Sequence, residues 1–307
     1  MARFVGYIKN NDICSVIEDD KDIAGGKTVA DILGSEFRIY RHLPVEKIPA
    51  IDEPVKFTSN ASIYMRCGEC AADIDLMSFR IQAPSIVNIR AGQILVVKKV
   101  SEDFDASVMV MSREIWDAIF NLVKDCKSYP IVRRYPVAQV PPELMPVLDD
   151  LYDRVGVFLR ERDNPNIKET MIFGLTTFFF RRAHTFYDRY ADTYPTIHSR
   201  VVDRFVSLVQ QNFRRQRFLD FYASKLDITS KHLSRTVKAQ TGHTAVEWIE
   251  RYVILEAKAM LRSSNLTVQQ ISDELYFPSQ SFFGKYFKKS TGMSPKEFRN
   301  MLGGGNV

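Results

Sequence analysis

Cysteine is scarce. Four residues, at 14, 67, 70 and 126 of 307, are too few and too scattered for the disulfide framework of a small secreted fold, so a reduced, cytoplasmic setting is expected. Long apolar runs are missing as well. The most hydrophobic window, Met171 to Phe180, ends at once on Arg181 and Arg182, and it falls well short of the ~20 residues a spanning helix needs. No membrane partner is expected, and the stretch MARFVGYIKNNDICSVIEDD lacks the continuous apolar core of a secretory signal. Histidine is sparse too, at 42, 184, 198, 232 and 243. A metal centre needs three or four converging ligands, and only His42 lies near the strand-rich region identified below. No metal, no cofactor and no metalloenzyme are expected. Phosphate-loop, dinucleotide and nucleophile-elbow signatures are also missing, so the chain is read as a non-enzyme.

What the sequence does contain is divided unevenly. A length of 307 residues suggests two domains of ~150. From Pro195 onward there are 17 basic and 9 acidic residues, a net of +8, which leaves 25 basic and 28 acidic residues, a net of −3, before it. The basic last third is the candidate for a polyanionic partner.

Residues 1–34 are polar, with Asp19, Asp20 and Asp22 and the pair Gly25–Gly26, and read as an N-terminal arm. Between 35 and 112 the hydrophobic period is close to two. Short runs (SIYMRC, IDLMSFRI, SIVNIR, QILVVKK, SVMVM) are broken by Gly68, Ala83–Pro84 and Ala91–Gly92, the pattern of an antiparallel sandwich or barrel. From Arg113 the spacing becomes helical, followed by a proline-marked loop from Tyr129 to Pro142. Two longer helical segments, 144–162 and 167–189, flank Asp163–Asn164–Pro165–Asn166 and should fold back as an antiparallel pair. Phe173, Phe178, Phe179 and Phe180 on the second of these should bury against the partner helix or a second subunit. Cys67 and Cys70 read as reduced thiols around a hairpin turn. The linker is placed at 191–198, where Pro195 interrupts the periodicity.

The most informative feature is an internal repeat. KHLSRTVKAQTGHTAVEW, from Lys231, lies over SFFGKYFKKSTGMSPKEF, from Ser281, at an offset of 50 residues. Lys238 answers Lys288, Thr241–Gly242 answers Thr291–Gly292, and Glu247 answers Glu297. Upstream the offset slips to 49, so Ala223, Asp227 and Ile228 lie over Ser272, Tyr276 and Phe277; a one-residue slip belongs in a turn. Each copy reads as a short helix, a tight turn and a second helix that starts on a hydroxyl cap at Thr229–Ser230 or Ser279. Each second helix stops at a glycine able to take the left-handed conformation, Gly242 or Gly292. Capping boxes follow at Thr244-x-x-Glu247 and Ser294-x-x-Glu297, and a third stands at Thr267-x-x-Gln270. A long helix carrying Val246, Ile249, Val253, Ala257, Met260 and Leu261 on one face joins the copies.

Helix, tight turn, helix is the helix-turn-helix arrangement. With Leu233 and Val237 turned inward, the first copy leaves Ser230, Lys231, Ser234, Arg235 and Lys238 outward. With Phe283 and Phe287 inward, the second leaves Gln280, Ser281, Lys285, Lys288 and Lys289. These groups are cationic or hydrogen-bonding, with no acid among them. A major groove admits one such helix; arginine can pair with guanine, glutamine with adenine, and lysine with phosphate. The candidate DNA-binding set is therefore Ser230, Lys231, Ser234, Arg235, Lys238, Gln280, Ser281, Lys285 and Lys288, and double-stranded DNA is the expected partner.

On these residues 199–301 resemble the DNA-binding domain of AraC/XylS-type bacterial transcription regulators. The resemblance rests on Ala223, Ile228 through Gly242, Ala257 and Leu261, then Thr267, Ile271, Leu275 and Phe277. It is completed by Phe282, Phe283, Phe287, Lys288, Gly292, Pro295, Phe298 and Arg299. It implies two recognition helices reading successive major grooves, with contacts at Lys231, Ser234 and Arg235 and at Gln280, Ser281 and Lys285. Two departures stand out: Tyr276 replaces the family's usual glycine, and Pro278 sits in the second turn. The resemblance further implies a cupin-like β-barrel over 35–112 with helices over 113–190, which would dimerise through 144–190. A small-molecule effector in that part, with no residues assigned to it, and a contact with RNA polymerase are left open, as is the alternative of a constitutive dimer without effector. The expected fold is multidomain α+β: the antiparallel barrel with its helical pair over 35–190, an all-α domain with two helix-turn-helix units over 199–301, and a flexible tail at 302–307.

Overall fold

The structure, a computed structural model, describes residues 37–43, 48, 51–123, 136–158, 166–182 and 200–303. The 1–34 arm, the 191–198 linker, His184 and His198 lie outside them. The chain divides into two compact units, residues 1–194 and 195–307.

In the first unit, β1 (Phe37–Tyr40), β2 (Pro54–Lys56), β3 (Asn60–Cys67), β4 (Glu69–Ile74), β5 (Met77–Gln82), β6 (Ser85–Ile89), β7 (Ile94–Val100) and β8 (Asp105–Met111) precede helix α1 (Arg113–Val123). After them come β9 (Val137–Gln139), α2 (Met145–Phe158) and α3 (Ile167–Arg182). The strands form two antiparallel sheets, ordered β1-β8-β3-β6-β9 and β2-β7-β4-β5. Among the described residues these sheets are not hydrogen-bonded into a closed ring, so the barrel opens into two layers. The sequence placed β9 in a proline-marked loop; it is instead an edge strand pairing β6 through Val87 and Val137.

Alternation along β3 explains the layering. Tyr64 faces the helices with Ile86, Met109 and Met111, against Ile115, Ile119, Leu148, Tyr152 and Leu175. Its neighbour Met65 faces the second sheet with Ala61, Val87 and Ile89, against Val55, Ala72, Ile74, Ile81, Leu95 and Val97. The first sheet is thus covered on both faces, which is why β6 is buried at every position, the polar Ser85 and Asn88 included. The run IDLMSFRI is not a single strand. Asp75 and Leu76 both take positive φ, 49° and 72°, and turn β4 into β5. The buried Asp75 carboxylate steadies this turn by accepting from the Ile94 amide at 2.9 Å and from Gln93 Nε2 at 2.8 Å.

Cys67 and Cys70 flank a corner rather than a hairpin, because β3 and β4 belong to different sheets. Both thiols are free, and burial pushes that of Cys70 up to about 11. The corner is made by Gly68, whose φ is +83°; a Cβ there would stand 2.8 Å from Phe104 Cα and would also collide with Ser101. The Ser101 hydroxyl accepts from the Glu69 amide at 2.8 Å, so it has little freedom to withdraw.

The second unit is all helical: α4 (Arg200–Asn212), α5 (Leu219–Lys225), α6 (Ser230–Thr241), α7 (Ala245–Ser263), α8 (Val268–Glu274), α9 (Gln280–Thr291) and α10 (Pro295–Gly303). Helix α7 is its axis. Trp248, Ile249, Tyr252, Val253, Ile254, Leu255, Ala257, Ala259, Met260 and Leu261 are all buried, more than a single stripe, because α7 packs on α4 and α6 on one side and on α8 and α10 on the other. Val246, expected on the buried face, is 42% exposed in the first turn.

Gly68→Ala should lower the unfolding free energy by about 2–3 kcal/mol, through backbone strain and the collision with Phe104 together. Urea denaturation of the full chain measures it, and an unchanged midpoint would show that the corner can yield.

Candidate nucleic-acid interface

The two halves of the second unit repeat at the level of single hydrogen bonds. In the first, the Ile228 amide donates to the Ala223 carbonyl at 3.1 Å; in the second, the Phe277 amide donates to the Ser272 carbonyl at 2.9 Å. Asp227 and Tyr276 occupy the same left-handed place in the turn, with φ of 56° and 53°. Small residues are needed where each helix pair meets, and Ala223 and Ser272 are both buried there. Pro278 is the single extra residue of the second turn, inserted between the left-handed turn and the cap. It accounts for the slip from 49 to 50 without altering what lies on either side.

Each second helix is punctuated as the sequence predicts. Thr229 accepts from the His232 amide and Ser279 from the Phe282 amide, both at 3.2 Å. The helices stop at Gly242 and Gly292, with φ of 77° and 82°. The Thr241 hydroxyl donates to the Val237 carbonyl and the Thr291 hydroxyl to that of Phe287, at 2.9 and 2.8 Å. The capping boxes are complete: Glu247 accepts from the Thr244 amide at 2.7 Å, and Glu297 from that of Ser294 at 2.6 Å. These backbone hydrogen bonds hold both carboxyls below their ordinary value of 4.5.

Positions 231–247 and 281–297 share one pattern of exposure and burial, residue for residue. Leu233, Val237, Phe283 and Phe287 are fully buried. Lys231, Arg235, Lys238, Gln280, Ser281, Lys285 and Lys288 are exposed, while Ser230 and Ser234 are half-buried. Three carboxylates border this surface that the sequence did not place there. Asp220 accepts from the Ser230 hydroxyl, which ties that residue to α5, and Glu247 and Glu297 lie near enough to Lys238 and Lys288 to be favoured as anions.

The sequence also missed how the two halves are joined. Arg214, between α4 and α5, pairs with the buried Glu256 of α7 at 2.9 Å and lies 3.6 Å from Glu274 of α8. Arg215 sits 4.6 Å over the Tyr276 ring and donates to its hydroxyl at 2.5 Å. Arg217 stacks 3.7 Å over Phe277 and donates to the Leu275 carbonyl, and burial pushes its pKa down. Stacking of this kind contributes about 0.5–2 kcal/mol, comparable with the cost of a non-glycine residue in the left-handed region. Tyr276 therefore keeps the turn that glycine would make without strain. At the other end, Arg299 donates to the carbonyls of Leu261 and Leu266 at 3.2 and 2.7 Å.

Residues 222–301 match a family model described as a helix-turn-helix domain. The C-terminal unit thus carries a helix-turn-helix domain. Among curated relatives, the HTH-type transcriptional activator RhaR of Salmonella schwarzengrund is 26% identical over 115 residues, covering 37% of this chain and 41% of that protein. RhaR of Escherichia coli O1:K1 / APEC is 23% identical over 107 residues, covering 35% of this chain and 38% of that protein. The match thus spans about two fifths of these relatives' length. Among solved structures, ToxT from Vibrio cholerae aligns over 87% of this chain and 99% of its own at 14% identity, with a TM-score of 0.43.

In the first unit, Arg66 gathers Asp105 at 2.6 and 2.8 Å, Ser107 and the Arg41 carbonyl, a network that ties β3 to β8 and to the end of β1. His42 joins it 3.1 Å from Asp105. Among the described residues no three of His, Cys, Asp and Glu are grouped to hold a metal, and no helix is long and apolar enough to cross a membrane. Phe173, expected to bury against the partner helix or a second subunit, is 72% exposed within this chain, so the partner helix does not cover it; the side chains of Phe178, Phe179 and Phe180 lie outside the described set.

The caps of the helix-turn-helix domain carry a sign. A carboxylate held below its unfolded pKa stabilises the fold above that unfolded value, and the contribution is lost as pH falls through the folded one. The double variant Glu247→Gln/Glu297→Gln should therefore be less stable than the parent at neutral pH, with the gap closing below the carboxylate range. Thermal unfolding followed against pH checks this; a gap that widens in acid would contradict it.

Proposed function

We propose that the chain is a sequence-specific, DNA-binding transcription regulator in which α6 and α9 enter successive major grooves. One observation carries the reading: the same capped, cationic helix occurs twice, with matching exposure, on either side of a buried axial helix. Arg235 and Lys285 are both exposed, as groove insertion requires. Ser230, Lys231, Ser234, Arg235 and Lys238, with Gln280, Ser281, Lys285 and Lys288, form the contact surface. Within it, Arg235 reads a base edge and Lys288 holds phosphate. Ser230, engaged by Asp220, serves the protein side of this surface. The curated relatives are named as activators, and on that ground the proposal extends to activation, which needs contact with RNA polymerase. It assigns no reaction to the chain and no cofactor.

Residues 35–190 form, in this proposal, the part that pairs two copies and can answer to a small molecule. Leu122, Val147 and Phe173 leave apolar surface exposed on α1, α2 and α3, at 60%, 40% and 72%, and a second copy would cover it. Phe173→Asp should give a monomer by sedimentation while moving stability by no more than about 0.5 kcal/mol; an unchanged dimer would place the contact elsewhere. Thermal shift across a metabolite panel separates control by an effector from a platform that only dimerises.

Selection of bound DNA from a random pool with the full chain tests the main reading, with a two-part site the expected product. On that site Arg235→Ala should cost about 1–3 kcal/mol and relax one base position. Lys288→Ala should weaken binding on every sequence and flatten the salt dependence by about one counterion. Equal losses for both variants on specific and random DNA would refute this division of roles.

A further inference from the structure

One residue of the second recognition helix is not explained by charge or hydrogen bonding. Phe282 is 53% exposed and stands in the first turn of α9, where its amide is held by Ser279. Helices of this kind touch base edges with their N-terminal residues. At i, i+3 and i+7, Phe282, Lys285 and Lys289 follow one exposed stripe. The ring is braced on one side only, with its centroid 6.2 Å from that of Phe277. Phe277 is itself buried beneath Arg217 and lies 5.1 Å from Phe283 and 5.2 Å from Tyr286. Phe282 therefore projects from a rigid aromatic base with much of its apolar surface bare, beside side chains suited to base edges and phosphate.

We infer that Phe282 reads a thymine through its C5-methyl group. The inference rests on the DNA-binding reading above. If α9 enters a major groove, whatever covers Phe282 belongs to that groove, and the base edges there offer a single apolar group, the thymine methyl. The equivalent place in α6 is His232, also exposed, which presents ring nitrogens instead. The two halves thus read their half-sites by different chemistry, and a methyl is required in only one of them.

Replacing thymine by deoxyuridine removes that methyl and nothing else. The selected site is remade with deoxyuridine at each thymine in turn and titrated with the full wild-type chain. One position, in the half-site bound by α9, should lose about three- to fivefold in affinity, the size expected for one buried methyl. Phe282→Ala should bind the thymine site more weakly by a similar factor and be indifferent to deoxyuridine there, whereas Phe282→Leu should retain part of the discrimination. The wild-type scan decides the matter even if a variant unfolds. A wild-type chain indifferent to every substitution, a half-site without thymine, or an Ala variant with the full deoxyuridine penalty would each overturn the assignment while leaving sequence-specific binding intact. A chain that selects no sequence at all would overturn the functional reading and this inference with it.

Discussion

Glu256 sits in the middle of the axial helix α7 with 1% of its surface exposed. A carboxylate taken that far out of water must be paired, and the charge that meets it comes from Arg214, in the segment between α4 and α5. This pairing pins the segment against α7. From there Arg215 and Arg217 reach the turn of the second helix pair, one through the Tyr276 ring and hydroxyl, the other through Phe277 and the Leu275 carbonyl. The second helix pair is thus held through α7 and also through the polypeptide that leads into the first. On the proposed reading, α6 and α9 address one duplex only if their separation is fixed, and the buried Arg214–Glu256 pair helps to fix it.

The repeat shows how much sequence can change while a backbone stays put. Asp227 and Tyr276 share a left-handed conformation although neither is glycine, and the bulkier residue is steadied by an arginine from outside its own copy. Pro278 lengthens one turn by a residue, yet the cap, the helix and the glycine stop that follow reproduce the first copy. The tolerance has a simple cause. Each cap and stop is satisfied by bonds to residues within a few positions, so it travels with its own helix and is insensitive to what joins the helices.

Legibility differed sharply between the halves of the chain. Local features were readable: all three predicted capping boxes form, and Leu233, Val237, Phe283 and Phe287 point inward. The N-terminal sheets were read as strands but their partition was not. β3 and β6 are buried on both faces and lose the alternation that would say which side each residue takes. The turn at Asp75–Leu76 carries no glycine or asparagine signal; Asp75 is held there by hydrogen bonds with Gln93 and Ile94, almost twenty positions away. Phe173 is not covered by its partner helix within this chain; the other cover its sequence allowed, a second subunit, is a matter of assembly that no local pattern encodes.

What the amino-acid order determined alone was the pair of capped, cationic helices, since helix starts, stops and outward faces are set by interactions spanning three or four residues. Tertiary structure decided what those helices are fastened to. The buried Arg214–Glu256 pair, the stacking of Arg215 and Arg217, the carboxylate of Asp220 beside Ser230 and the aromatic base under Phe282 all join residues distant in the chain or across a turn. Such contacts leave no period or motif in the sequence, because they depend on where packing brings a charge or a ring.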